Sequence, residues 1–397
     1  MERVQPKKSI SSDIVVIGAG PAGAFFSYLM AKKGFSVTVL EARATIKRKV
    51  CGDYICPPGK DLLTSSGLEQ IVKMSRSIQS MRIVTAANDI VDCPFPELNT
   101  GMSLSRLTLD TELVNAAKEV GVNFLFSESV QDLKVTPMDA TVESKNYSVK
   151  AKLVVGADGR TSWVAKKLNL SKKTNSKRVA IRTFIKSKTE TPHRAEMHLL
   201  QDNYIGINHI EDGLISVALV IDKNSLQSFR QNKTLKDCLV HNLKRSPELV
   251  SQFVDGWETS ITEDLIDTST PLSHSVTSTT SQRIALIGDA AGYVDPITGE
   301  GNFMALSSAN ALSSAINEMD DLNFNLEISL QQYKSWHKSV VKTKLLINSG
   351  FQRLIKHPRL IHMVGKHLNA KESRRRAFIN LVGNVVAPSK AIASILL

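Results

Sequence analysis

Asp13-Ile-Val-Val-Ile-Gly18-Ala-Gly20-Pro21-Ala22-Gly23 decides how the rest of this chain is read. Ile14 to Ile17 are β-branched and apolar, the composition of a short buried parallel strand, and from Ala22 to Lys33 apolar residues return at helical spacing. The junction suits a phosphate. Gly18 allows a tight turn, Gly20 removes the side chain that would block a pyrophosphate, and Gly23 lets helix and strand pack closely. Unpaired N–H groups and a partial positive charge at the helix start complete the cradle. The next strand, Ser36-Val-Thr-Val-Leu40, ends in Glu41, 23 residues after Gly18, where a carboxylate can accept hydrogen bonds from an unphosphorylated adenosine ribose.

Two later signatures follow in fixed order. Leu153-Val-Val-Gly156-Ala-Asp158-Gly159-Arg160 is a strand leading into an Asp-Gly turn, which taken alone is only a turn signal. In Ile284-Ala-Leu-Ile-Gly288-Asp289 a buried strand ends on a short acid able to bond a sugar-alcohol hydroxyl, and the glycines up to Gly292 permit close backbone approach to an aromatic ring. Gly299-Glu300-Gly301 then opens a helical stretch through about Met319, whose first N–H groups can face a ligand carbonyl and stabilise negative charge on it. Three stretches that can close on one long cofactor point to FAD.

The same residues resemble the FAD-dependent family of para-hydroxybenzoate hydroxylase and, more closely, its geranylgeranyl reductase branch, over roughly residues 13 to 320. That branch carries a Cys-Gly loop after the ribose-binding acid, and Lys49-Val50-Cys51-Gly52-Asp53-Tyr54 occupies that place. The resemblance implies that Arg106, in Ser105-Arg106-Leu-Thr-Leu-Asp110, contacts the FAD backbone, that Asp289 holds the ribityl chain, and that Pro296 to Gly301 lies under the flavin ring. Ala22, Arg43, Val130, Asp158, Gly52 and Asn302 complete the expected cofactor set. Cys51 is the catalytic candidate, as proton donor or gate, with a small packing residue as the alternative.

At 397 residues, with 42% hydrophobic and 22% charged residues, the chain has the composition of a folded protein with ample material to bury a cofactor. Cys51, Cys56, Cys93 and Cys238 form no CxxC pair or disulfide framework, so a reducing cytoplasm is the expected setting. His193 and His198 lack the spacing of a metal site, and no metal is expected. Met1 to Ser12 is polar and basic, without the apolar core of a secretory signal.

The net charge of +12 is spread over clusters with no aromatic-rich module around them, which argues against a nucleic-acid partner. From Lys334 onward, Lys338, Lys342, Lys344, Arg353, Lys356 and Arg359 alternate with Trp336, Leu345, Phe351 and Leu354. This cationic amphipathic pattern reads either as a helical lid with a solvated basic face or as peripheral membrane contact. Phe378 to Leu397 is apolar but interrupted by Pro388 and Lys390, and is unsuited to crossing a bilayer.

Ser80 to Cys93 and Arg178 to Ile221 alternate as strands, Ser225 to Phe253 has helical periodicity, and Thr259 to Thr277 returns the chain to the cofactor unit. The expected fold is α/β (α+β): a discontinuous Rossmann-like FAD-binding domain (13–78, 100–175 and 277–330), an inserted antiparallel-sheet substrate domain (79–99 and 176–276) and a C-terminal helical region (331–397). The resemblance implies an FAD-dependent oxidoreductase that reduces carbon–carbon double bonds of a prenyl or other apolar small-molecule or lipid substrate, fed by NAD(P)H or another electron donor. A single-component monooxygenase hydroxylating an aromatic ring with NAD(P)H and O2 shares every signature. A non-catalytic escort module for lipid or protein partners is the third reading. Trp163, Trp257 and Trp336 stand apart, without the Trp-x-Trp pair of a flavin halogenase.

Overall fold

The computed structural model describes residues 7–96, 99–173, 177–188, 192–231, 233–293, 297, 299–355, 357–383 and 395. The strand Lys8–Ile17 lies at the centre of a sheet, parallel to Val37–Glu41 on one side and to Tyr147–Gly156 on the other. Asn123–Phe126 extends the sheet beyond Val37–Glu41, and Ile284–Leu286 extends it beyond Tyr147–Gly156, both in parallel. The three signatures therefore end on neighbouring strands: Ile17 pairs with Gly156, which pairs with Leu286. Ligands of open α/β sheets bind at such carboxyl ends.

The helix Pro21–Lys32 is buried along almost its whole length, with Ala24, Phe25, Phe26 and Met30 at 0% exposure. It packs between the helices Arg106–Glu119 and Gly301–Ala315. Burying each of its two phenylalanines contributes about 1.5–3 kcal/mol to the layer. Gly301–Ala315 stops before Met319, because the chain turns extended at Ile316. Lys33 Nζ closes this end by donating to the Ser313 and Ile316 carbonyls. Met319–Asn323 forms a separate short helix.

A second sheet runs Asp267–Ser269, Arg178–Lys186, Leu214–Asp222, Tyr204–His209, Arg194–Leu199, Ser80–Val84, Ile90–Pro94. Among the described residues of this sheet only Arg194–Leu199 and Ser80–Val84 pair in parallel. Its alternation divides two faces. Ile181, Ile205, Ile207, Val217 and Leu219 meet the helices Lys223–Phe229 and Leu235–Leu243, while Ala180, Asn208 and Ala218 line a cleft toward the first sheet. The periodicity from Ser225 to Phe253 resolves into several helices, since Thr234 forms a capping box with Asp237 and Pro247 starts a new helix. A small sheet of Tyr54–Ile55, Gly101–Ser103 and Arg76–Ile78 has no counterpart in the expectations.

The helix Leu326–Ile355 crosses Gly301–Ala315, followed by Pro358–Asn369 and Glu372–Val382. Lys344, read as part of a solvated basic face, turns inward and pairs with Glu300 at 2.9 Å. Of the apolar stretch from Phe378, residues 384–394, 396 and 397 lie outside the described residues.

Candidate cofactor and substrate site

Gly18 ends the first strand at φ +106°, and a Cβ there would lie 2.5 Å from the Ala157 carbonyl oxygen. Gly23 packs from the other side: its Cβ would stand 2.0 Å from the Gly18 oxygen. No side chain caps the helix start at Gly20, so its first N–H groups remain for a ligand. Glu41 is drawn to this turn, accepting from the Ala19 N–H at 2.9 Å and the Arg43 N–H at 3.0 Å.

A cleft of about 580 Å3 runs from this turn to the second sheet. It is lined by Gly18, Gly20, Ala22, Glu41, Arg43, Cys51, Gly52, Arg106, Val130, Asp158, Asp289, Gly299, Gly301 and Asn302. Gly23 does not reach the cleft and acts beneath it. Pro296 lies outside the described residues.

Asp158 Oδ2 accepts from the Trp163 and Val164 N–H groups, at 2.7 and 3.1 Å, and so caps the helix Trp163–Lys167. Its Oδ1 is buried with no hydrogen-bond partner among the described residues, as are Tyr54 Oη, Asn208 Oδ1, Asp267 Oδ2 and Asn302 Oδ1, all on the same cleft. An orphaned buried polar group costs about 1–3 kcal/mol, so a set of acceptors is left for a ligand rich in hydroxyl and N–H donors. A ribityl chain and a flavin imide bring such donors, and the residues fit FAD.

Burial raises the Asp289 carboxyl above its usual range, while Arg106, Arg160 and Lys49 pull it back down. Arg106 starts the helix Arg106–Glu119 under a Ser105 cap. Burial works against its charge, but Asp110 holds it firmly protonated through contacts of 2.9 and 3.0 Å. Arg106, Arg160 and Lys49 thus lie near enough to Asp289 to favour its charged form.

The Cys-Gly loop is clamped from two sides. Cys51 Sγ accepts from the Asp53 N–H and from Asn302 Nδ2, each at 3.4 Å. Burial pushes the Cys51 thiol up while Arg106 pulls it down, with the net above its ordinary value, so the sulfur keeps its proton. Asp53 points the other way. Its carboxylate accepts from Arg182, from Ser216 Oγ at 2.6 Å and from the Arg106 N–H at 2.8 Å. Arg182 also donates to the Lys49 carbonyl at 2.8 Å, and Asn208 Nδ2 to the Gly52 carbonyl at 3.2 Å. The second sheet thus fixes a loop of the first. Asp53, Arg182, Ser216 and Asn208 were missed by sequence reasoning; the available signal was Arg182 itself, a charge on the inward face of an apolar strand.

At the far end, Gly299 sits at φ +71° and a Cβ there would press to 3.2 Å from the Tyr54 ring. Asn302 donates to the Tyr54 carbonyl at 3.1 Å. Glu300 stands at the N-cap position of Gly301–Ala315 and carries the ion pair to Lys344, tying this turn to Leu326–Ile355.

Beyond the cleft lies a cavity of about 60 Å3 bounded by Ile83, Leu199, Ile297, Phe351, Ile361 and Leu368. Met81 and Met197 line both spaces.

The protein family described as FAD binding domain matches residues 11–320. Conditioned medium factor receptor 1 of Dictyostelium discoideum is 24% identical over 344 residues, 78% of this chain, which spans only 64% of that relative. Digeranylgeranylglycerophospholipid reductase 1 of Methanococcoides burtonii is 26% identical over 85% of this chain and 83% of its own. A flavoprotein/dehydrogenase from Cytophaga hutchinsonii superposes with a TM-score of 0.76 at 20% identity, covering 94% of this chain and 92% of that one.

Proposed function

This chain belongs to the FAD binding domain family and is an FAD-dependent oxidoreductase, and we propose that it reduces carbon–carbon double bonds of a long apolar, prenyl-type lipid. The observation that carries this reading is the apolar cavity reached past Met81 and Met197. An aromatic acid would need cationic or polar groups there; a hydrocarbon chain needs only carbon, and flexible methionines let it pass. At about 60 Å3 the cavity takes only the first carbons of such a chain, so the longer remainder needs the surrounding helices to yield. The archaeal digeranylgeranylglycerophospholipid reductases among the relatives act in name on such lipids.

We assign the cofactor to the residues lining the cleft. Gly18, Gly20 and the N-terminus of Pro21–Lys32 hold the pyrophosphate, Glu41 the adenosine ribose, and Asp289 the ribityl chain, with the start of Gly301–Ala315 beside the ring. Bound FAD would supply the hydride once NAD(P)H, itself oxidised, or another donor has reduced it by two electrons. The residues of the chain do the rest. The second sheet excludes water and presents the alkene, and the Asp53–Arg182 clamp holds Cys51 at the cleft wall. Cys51, kept protonated by burial, gives its proton to the alkene carbon next to the one that accepts hydride, and solvent reprotonates the thiolate. One C=C bond is lost and two C–H bonds form.

The experiment is anaerobic reduction of the holoprotein followed by a geranylgeranyl lipid, with the product analysed by mass. Gain of one H2 per double bond supports the reading. Unchanged lipid, with an aromatic acid hydroxylated in the presence of oxygen, assigns the chain to the monooxygenases instead.

A further inference from the structure

The helix Pro358–Asn369 has two unlike apolar faces. Ile361, Val364, Gly365 and Leu368, at helical spacing, close the apolar cavity. Leu360 and Met363, three residues apart on the outer side, are 48% and 64% exposed. Exposed Arg359 and Lys366 flank them. The helix cannot roll these two side chains inward, because His362 Nδ1 is held by Asp89 at 2.6 Å and Asn369 Nδ2 donates to the Ile90 carbonyl at 2.9 Å.

Charge decides what covers this face. Residues 353 to 376 carry eight Lys or Arg and a single acid, Glu372. A second copy of the chain laid on it would set like charges together, whereas an anionic lipid surface supplies the missing charge and an apolar layer for the two exposed side chains. No helix among the described residues is long and apolar enough to cross a membrane, so the contact lies in the plane of the interface.

We infer that the face bearing Arg359, Leu360, Met363 and Lys366 docks on an anionic lipid bilayer, and that this helix is the doorway between the bilayer and the apolar cavity. The docking stands by itself; the doorway rests on the proposed function, because the lipid it admits is the alkene to be reduced. The cationic amphipathic pattern from Lys334 reads as a lid or as membrane contact over the whole tail, whereas this inference rests on one helix of it.

The test is flotation of the FAD-loaded full chain with vesicles of phosphatidylcholine alone or with phosphatidylglycerol added. The chain floats with the anionic vesicles and not with the neutral ones. Leu360→Asp with Met363→Asp lowers the bound fraction by about tenfold or more, since two apolar side chains no longer enter the interface, and Arg359→Glu with Lys366→Glu also releases the protein. Unchanged flavin spectra and melting temperatures show that these variants are folded. Absence of flotation in the unmodified chain, or undiminished flotation of the aspartate variant, overturns the inference. So does a concentration-dependent dimer dissolved by the aspartate variant, which gives the face to a second copy. Because flotation needs no turnover, failure to reduce a short soluble prenyl alcohol strikes the proposed function and leaves the docking standing.

Discussion

Asp53, two residues beyond Cys51, and Arg182, in the strand Arg178–Lys186 of the second sheet, form an ion pair with side chains 0% and 1% exposed. It joins the loop beside the cofactor cleft to the sheet that lies across from it. Removal of one partner leaves the other charged and buried, which costs about 3–5 kcal/mol. Arg182→Met is therefore expected to lower the thermal midpoint and release FAD. Adding Asp53→Asn restores part of both, since asparagine tolerates the φ of 54° at that position. Melting curves with flavin absorbance check this, and failure of the double variant to recover would show that the pair does not act as a unit.

Gly18 and Gly20 are expected to separate. Gly18→Ala drives a methyl into the Ala157 carbonyl and disturbs the fold itself. At Gly20 the backbone is extended and the nearest atom to a new Cβ is Lys49 Nζ at 3.5 Å. Gly20→Ala then leaves the apoprotein folded but weakens FAD by about tenfold or more. Titration of apoprotein with FAD, beside its circular dichroism spectrum, distinguishes the two effects.

Asp289→Ala is expected to weaken FAD by about 10–100-fold, the loss of a charged hydrogen bond of roughly 1.5–3 kcal/mol. Full occupancy and an unchanged flavin spectrum in that variant would take Asp289 out of the site.

In the proposed step Cys51 gives up a proton, and burial holds its thiol above the ordinary value. The chemical step is thus predicted to stay level through neutral pH and to fall as pH rises beyond the usual thiol range, about 8.5. Cys51→Ala slows hydride transfer by about 100-fold or more and abolishes that alkaline limb. A Cys51 that only packs would leave the single-turnover rate and its pH profile in place.

His337, on Leu326–Ile355, is 7% exposed, and burial pushes its imidazole down to about 4. The unfolded chain takes up that proton near the ordinary value of about 6.5. Stability is therefore complete above about 6.5, declines as pH falls toward 4, and levels off below, with a loss on the order of 3 kcal/mol. His337→Gln is expected to flatten this part of the pH–melting profile. An unchanged acid slope would place the sensitivity elsewhere.

The cofactor half of the fold was legible because its residues announce themselves locally. A β-branched strand, a glycine turn and an amphipathic helix need no distant partner to be recognised, and the acids at Glu41, Asp158 and Asp289 all sit on ends of strands or on the turns that follow them. The clamp on Cys51 was not legible, because Asp53 and Arg182 are 129 residues apart and neither carries a motif. Lys344 misled for a related reason: helical spacing places a lysine on a face, but only the packing against Gly301–Ala315 shows that its ammonium meets Glu300. The two faces of Pro358–Asn369 needed the structure too, since only burial tells Ile361 from Leu360.

Stopped-flow mixing of the anaerobically reduced holoprotein with geranylgeranyl lipid, against mixing with oxygen, tests the central claim most directly. The account predicts that the lipid alone restores the oxidised flavin spectrum and leaves the alkene saturated. Reoxidation by oxygen only, with no response to any prenyl lipid, would contradict it.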